Sequence, residues 1–334
     1  MKTDCSCLSN RLERMGSAYR RLVPAAILAL CTLFGAEARA DQALLCVLVP
    51  HFKDEYWLSV AYGIEQQSAE RQLSVRFFEA GGYDAQKSQI DQISACRALQ
   101  PGAILIGTVS SDAPDLLAAV QAPARDRPVI GLVNELHTDV LTARVGVDWA
   151  DMGLALGQNL AGRFPAGSPP LDAVLLSGPA GAGWVAPLES GLRRGLERSS
   201  VRIVATYGAD TGTAEQLRLL EKAVAAHPGI DLVIGSAPAI EAAMALFPRG
   251  RDRPRLAATY VSHTVARGLV GGRVMAAPFD DPIAQGRLAV DAAAAAIAGQ
   301  RAAAPIGPGI VVKEGGIDPA SIDLSPADYF PALD

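Results

Sequence analysis

The sequence predicts an α/β protein of two doubly wound parallel-sheet lobes with a ligand cleft between them. Three observations carry this. Short apolar runs alternate with helical periodicity from Leu44 to Ala298 almost without interruption, which is the pattern of βαβ units. The alternation restarts after the proline-rich stretch 165–170. No low-complexity segment separates the two halves, so they read as packed lobes rather than beads on a string. The 334 residues, 50% hydrophobic and 19% charged, suffice for two cores. A net charge of −5 argues against a nucleic-acid partner.

The N-terminus reads as a secretory leader. Arg11, Arg14, Arg20 and Arg21 form a basic region, 22–36 is apolar but short for a membrane span, and Ala38-Arg39-Ala40 is an A-x-A cleavage site. The mature chain is expected to begin near Asp41. Of five cysteines, Cys46 and Cys96 survive cleavage. Cys46 lies early in the first strand and Cys96 near the end of the second helix, which returns to the same edge. They are placed to meet as a disulfide in an oxidising compartment; the alternative is two buried thiols.

Residues 44–49 form an apolar run expected to be a buried parallel strand. Asp54 suits the N-cap of the helix that follows, whose apolar stripe is Trp57, Val60, Ala61 and Ile64 at i, i+3, i+4, i+7. Tyr56 and Trp57 therefore sit in the first helical turn at a strand's carboxyl end, where open α/β sheets bind ligands. Strands follow at 74–79, 103–107 and 128–133, with helices at 84–99 and from about 113 to 121. Gly81-Gly82-Tyr83 turns out of the second strand. A short strand at 144–147 leads to Asp148-Trp149, which opens a helix to Arg163.

In the second half, strands are expected at 173–177, 202–207, 231–235, 255–260, 274–278 and 310–313. Helices are expected at 186–198, 213–226, 239–247, 264–269 and 283–298. The tail beyond is irregular and punctuated by proline.

Tyr56, Trp57, Tyr83, Trp149 and Tyr260 all fall at carboxyl ends of strands. If the lobes face each other, the five converge. Electron-rich ring faces attract a methylated ammonium by roughly 0.5 to 2 kcal/mol per face. The competing reading is that each ring packs its own helix on its own sheet. Asp280 and Asp281 face a similar choice between accepting in the cleft, as a counter-ion to a cationic ligand, and capping the helix at Ile283, and Asp54 faces the same choice at its own helix; Asp54 and Asp280 are taken as ligand-binding candidates. The loop 177–184, rich in glycine and ending in Trp184, lacks a Walker lysine and G-x-G-x-x-G order, so a nucleotide is not expected; it reads as a turn able to offer one amide or the Trp184 ring to the cleft. The four histidines show no metal-binding spacing, no G-x-S-x-G elbow is present, and no nucleophile–base set assembles. Neither metal, cofactor nor enzymatic activity is expected.

The segments Tyr56-Trp57-Leu58-Ser59, Glu79-Ala80-Gly81-Gly82-Tyr83, Val145-Gly146-Val147 with Trp149, and Tyr260-Val261-Ser262-His263 carry a resemblance to a known family. Over about 46–300 the chain resembles the type I periplasmic binding proteins, and among them the sensors of trimethylamine N-oxide. The resemblance implies three crossovers between lobes, near Asp148, Tyr260 and Ala303. The lobes would then be 41–148 with 260–303, and 149–259 with 304–334, after a leader at 1–40. It also implies trimethylamine N-oxide as ligand and a membrane sensor histidine kinase as partner. By motif match, Tyr56, Trp57, Trp149, Tyr83 and Tyr260 carry over as cage residues, and Cys46 and Cys96 match cysteine positions of that family. The alternative is a solute receptor of an importer for a sugar or quaternary amine.

Overall fold

A computed structural model describes residues 42–248, 250, 253–300 and 306–333. The expected leader and the crossover expected at Ala303 lie outside the described residues.

The first sheet has the order β2-β1-β3-β4-β5, all parallel. Its strands are β1 (Leu44–Val49), β2 (Ser74–Glu79), β3 (Ala103–Ile106), β4 (Val129–Leu132) and β5 (Ala143–Val145). β1 lies inside this sheet, with neighbours on both edges and helices nearby, which explains its unbroken apolar run. The helices are α1 (Glu55–Glu70), α2 (Gln86–Ala98) and α3 (Pro114–Ala124). Val60 and Ile64 of α1 are fully buried, each contributing roughly 1.5–3 kcal/mol. α2 buries only Gln89, Ile93 and Cys96. Its hold on the sheet is reinforced by a Cys46–Cys96 disulfide, with Cα atoms 6.1 Å apart.

The second sheet has the order β11-β10-β9-β8-β6-β7. It comprises β6 (Leu171–Ser177), β7 (Val201–Gly208), β8 (Leu232–Gly235), β9 (Arg255–Ala258), β10 (Ala276–Phe279) and β11 (Val311–Glu314). Only β11 runs antiparallel, against β10. The chain's remaining described helices are α4 (Trp149–Arg163), α5 (Val185–Leu196), α6 (Thr213–Ala226), α7 (Ala237–Leu246), α8 (His263–Val270) and α9 (Pro282–Ile297).

One boundary differs from expectation. The chain does not leave the second lobe at Tyr260. β10 pairs with β9 through Ala276 and Ala257, and the crossing comes after Phe279. From there α9 packs on α1 of the first lobe. The two helices approach closely at two glycines: a Cβ at Gly63 would lie 2.1 Å from Ile283 O, and one at Gly286 would lie 2.2 Å from Val60 O. An apolar run such as that of β10 suits either sheet, and only its pairing partner decides between them. The tail then returns to the first lobe. Ser325 N donates to Ser59 Oγ at 3.2 Å, and the Phe330 ring meets Phe52 at 5.7 Å between centroids.

No described helix is long and apolar enough to cross a membrane.

Candidate functional site

Local chain chemistry places each ring. Asp54 caps α1 by accepting from Tyr56 N at 3.1 Å, which fixes Tyr56 and Trp57 in the first turn. The Trp57 ring fits over Gly107, where a Cβ would stand 2.3 Å from it. Tyr83 follows the left-handed Gly81, with φ +103. Asp148 caps α4 through Ala150 N at 2.7 Å, and Trp149 begins that helix. The Trp149 indole donates to Val133 O at 3.0 Å. Val133 is held at φ +62, an uncommon conformation for a β-branched residue, and its N–H donates to Val145 O at 2.8 Å.

These residues converge. Asp54, Tyr56, Trp57, Tyr83, Val133, Asn134, Trp149, Trp184 and Tyr260 line one cavity of about 10 Å³. That is room for about one water. The rings meet at angles, as their quadrupoles favour: Tyr56 and Tyr260 at 5.4 Å between centroids, Trp149 and Tyr260 at 6.3 Å, and Trp149 and Trp184 at 5.6 Å. A larger cavity of about 270 Å³ lies beside it, sharing Val133 and Asn134. No tyrosine, tryptophan or phenylalanine lines that one. An aromatic-loving ligand therefore suits the smaller site.

Two buried tyrosine–aspartate pairs lie at the junction of the lobes, one between the lobes and one between the first lobe and the crossover after β10. Tyr260 Oη donates to Asp54 Oδ2 at 2.5 Å. Tyr56 Oη donates to Asp280 Oδ2 at 2.8 Å. Gln285 Nε2 also donates to Asp280 Oδ2, at 2.8 Å, and to Tyr56 Oη, at 3.0 Å. Burial pushes both carboxyls up to about 6, against the pull of these hydrogen bonds. Burial, with the adjacent carboxylates adding to it, raises Tyr56 and Tyr260 well above the usual phenol range, so both remain protonated donors. The expected choice at Asp280-Asp281 resolves by division. Asp281 caps α9, accepting from Ala284 N at 2.9 Å, while Asp280 serves Tyr56. Asp280 thus stands behind the cavity wall, whereas Asp54 both caps its helix and lines the cavity.

A further inter-lobe contact is centred on Asp210. Its carboxylate lies 3.3 Å from His51 Nε2 and 3.6 Å from Lys53 Nζ, and it accepts from Tyr83 N at 3.3 Å. Burial raises the Asp210 carboxyl, but the bond and charge of His51 and the N–H groups of Tyr83 and Thr211 outweigh this and leave it below the usual carboxylate range.

Among the described residues, no group of histidine, cysteine, aspartate and glutamate side chains could hold a metal ion. The arrangement lines a cavity the size of one water with ring faces and a buried carboxyl, the groups that attract a cationic nitrogen. All five expected rings reach the cavity, with Asp54, and Asp280 stands one hydrogen bond away. Trp184, expected as one of the two contributions the loop 177–184 could make to the cleft, joins them, as do Asn134 and Val133, which were not assigned to the cage. Trp184 carried a legible signal, a tryptophan closing a glycine-rich turn at a strand's carboxyl end. Asn134 and Val133 follow β4 in the same way. Asp210 gave none, because its partner His51 is distant in the chain.

A periplasmic binding protein domain matches residues 45–301. The periplasmic protein TorT of Escherichia coli, in strains K12 and O157:H7, is 36% identical over 290 residues, covering 86% of this chain and 83% of TorT. Among solved structures, a complex of TorT with the TorS sensor domain in the presence of trimethylamine N-oxide superimposes with a TM-score of 0.77 at 33% identity, covering 88% of this chain and 100% of that one. An ABC transporter solute-binding protein from Bradyrhizobium sp. BTAi1 with bound bis-tris gives a TM-score of 0.73 at 35% identity, covering 88% of this chain and 90% of that one.

Proposed function

The chain belongs to the periplasmic binding protein family, within its TorT branch, and from that premise we propose that it senses trimethylamine N-oxide between its lobes and signals to a membrane sensor histidine kinase. The family places it in the periplasm and points to a binding role rather than a catalytic one. The observation that carries the ligand assignment is the single cavity walled by Tyr56, Trp57, Tyr83, Trp149, Trp184 and Tyr260. Ring faces at roughly 0.5 to 2 kcal/mol each suit the three methyl groups on a positive nitrogen. The relation to TorT, solved with TorS, supports the kinase as partner.

Even this small ligand needs more room than about 10 Å³, so the rings must part to admit it. Those rings belong to both lobes. Ligand binding and lobe position are therefore coupled, and a ligand with different affinity for two lobe arrangements shifts the balance between them. That shift is what a kinase sensor domain resting on both lobes would read.

A second reading has its own support. The buried carboxyls of Asp54 and Asp280 favour a cationic amine, and the 35%-identical transporter protein holds bis-tris, an amine. Under that reading the chain delivers an organic amine to a permease.

Thermal unfolding of the mature protein with trimethylamine N-oxide, glycine betaine, choline or ribose separates these. A ligand at a hundred times its dissociation constant adds about 2.7 kcal/mol, a rise of a few degrees for a chain of this length. Low concentrations and a Trp149→Ala control remove the general osmolyte effect. A rise with the N-oxide that the variant loses supports the sensor. A rise with choline alone would favour the amine receptor, and one with ribose alone would overturn the cage.

A further inference from the structure

Trp184 is the cage ring that no motif assigned, and its surroundings give it a specific role; the inference rests on the cage reading above. The residue is 3% exposed and is carried to the cavity by the loop between β6 and α5. The loop is shaped around that placement. A Cβ at Gly178 would stand 2.3 Å from the Trp184 ring, and one at Gly183 would stand 2.3 Å from Glu135 O of the first lobe. Gly181 O accepts from Ser111 N, also of the first lobe, at 3.2 Å. The loop thus closes against the opposite lobe, and the ring centroid comes to lie 5.6 Å from Trp149, 5.9 Å from Tyr260 and 6.5 Å from Tyr83.

The indole Nε1 of Trp184 is buried and has no hydrogen-bond partner. Buried indole N–H groups ordinarily find one, and an unsatisfied donor is costly. The Tyr83 hydroxyl is close enough for weak hydrogen bonding with this indole and with Trp57, but no bond of good geometry joins it to Trp184, and its oxygen is shared with Asn134 Nδ2 at 3.2 Å. Four other donors on the cavity wall are committed. Tyr56 serves Asp280, Tyr260 serves Asp54, Trp149 serves Val133 O, and Asn134 serves Thr108 O. A ligand oxygen carrying negative charge would also be repelled by the Asp54 carboxylate, so it needs a donor placed away from that acid.

We propose that Trp184 is a specificity-determining residue of this site: its Nε1–H donates to the oxygen of a small methylated amine oxide or betaine, while its ring closes the cage over the methyl groups. The second lobe then reads the oxygen through Trp184. A tetraalkylammonium ion, which has ring-binding methyl groups but no acceptor, is held by the rings alone.

Two measurements on the mature protein test this with trimethylamine N-oxide and tetramethylammonium as probes. The chain has three tryptophans, so the indole region of a ¹H–¹⁵N spectrum carries three cross-peaks, and Trp184→Phe identifies one. The N-oxide is expected to move that peak downfield, and tetramethylammonium to move it far less. In calorimetry, Trp184→Phe is expected to weaken the N-oxide about tenfold, the worth of one hydrogen bond, and tetramethylammonium less than about twofold. Equal weakening of both probes, or of neither, would overturn the donor role while leaving the cage intact. Failure of the wild-type protein to bind the N-oxide at all would instead sink the cage reading and this role with it. Should Trp184→Phe lose its fold, sequential assignment of the wild-type indole peaks carries the same test.

Discussion

Asp280 in the cleft and Asp112 at the surface are each held by a neighbouring hydrogen-bond donor, yet their carboxyls respond in opposite directions. Asp112 is bound by Ser111 Oγ at 2.7 Å and by His137 Nδ1 at 2.6 Å, and these bonds hold it below the usual range. Its partner His137 is raised, first by the Asp112 bond. Asp280 has partners at equally short range, Tyr56 and Gln285, but is fully buried, and burial lifts it to about 6. Hydrogen bonding to the charged form and removal from solvent are opposed terms, and in the cleft the second wins. The lesson concerns cost. A buried carboxyl that is hard to ionise is retained where it orders something, and here both such groups orient the phenols of the cage.

The comparison can be broken or sharpened in four ways. The largest expected effect is that of Asp280→Ala, which leaves the Tyr56 hydroxyl without its acceptor and takes one acceptor from the Gln285 amide, which keeps the backbone O of residue 280 and Tyr56 Oη. Loss of about 3 kcal/mol at pH 5 is expected in urea unfolding. A loss below about 1 kcal/mol would mean that water reaches the pair.

Next comes pH. Asp280 rises from 3.8 to about 6, so the folded protein keeps a proton that the unfolded chain has released. That contributes stability which is fully present below about pH 4 and is lost as the pH rises through about 6. Asp280→Asn carries no such proton, so it should gain on the wild type by roughly 2–3 kcal/mol between pH 4 and 7. Parallel pH profiles for the two proteins would contradict the raised carboxyl.

Asp54→Ala follows. It removes a helix cap and the acceptor of Tyr260, but the cavity can lend a water, so about 1–2 kcal/mol is expected. Its effect on ligand affinity should exceed that of Asp280→Ala, because Asp54 alone of the two lines the cavity. The reverse order, measured by calorimetry, would exchange their roles.

Asp112→Asn is the smallest change. The pair with His137 is exposed and screened, and stability should move by less than about 0.5 kcal/mol. The His137 titration followed by NMR should nonetheless fall back toward its ordinary midpoint. An unmoved midpoint would show that the pair does not persist in solution.

Much of this architecture was legible beforehand because it is local. The apolar run of β1, the Asp54 cap and the stripe through Ile64 lie within about twenty residues of one another, and together they place Tyr56 and Trp57. The repetition of the same strand-to-helix placement at Trp149 implied that the two halves share one cleft. What could not be read depends on pairing between distant segments. β10 joins β9 rather than the first sheet through backbone register, which leaves no mark in an apolar run. Asp280 and Asp281 are chemically identical neighbours, and only the left-handed turn at Asp281, φ +46, decides which one caps and which one reaches Tyr56. Trp184 is a divided case: its glycine-rich turn at a strand's carboxyl end is local and legible, whereas the clasp of that turn by Ser111 and Glu135 of the other lobe is not encoded by the residues around it.

The central claim is that both lobes close an aromatic cage around trimethylamine N-oxide. Isothermal titration calorimetry of the mature protein with the N-oxide, alongside Trp149→Ala, tests it most directly. Saturable binding at one site per chain in the wild type, abolished by Trp149→Ala, is the predicted result. Binding that survives the loss of Trp149 unchanged, or an absence of saturable heat in the wild type, would contradict it.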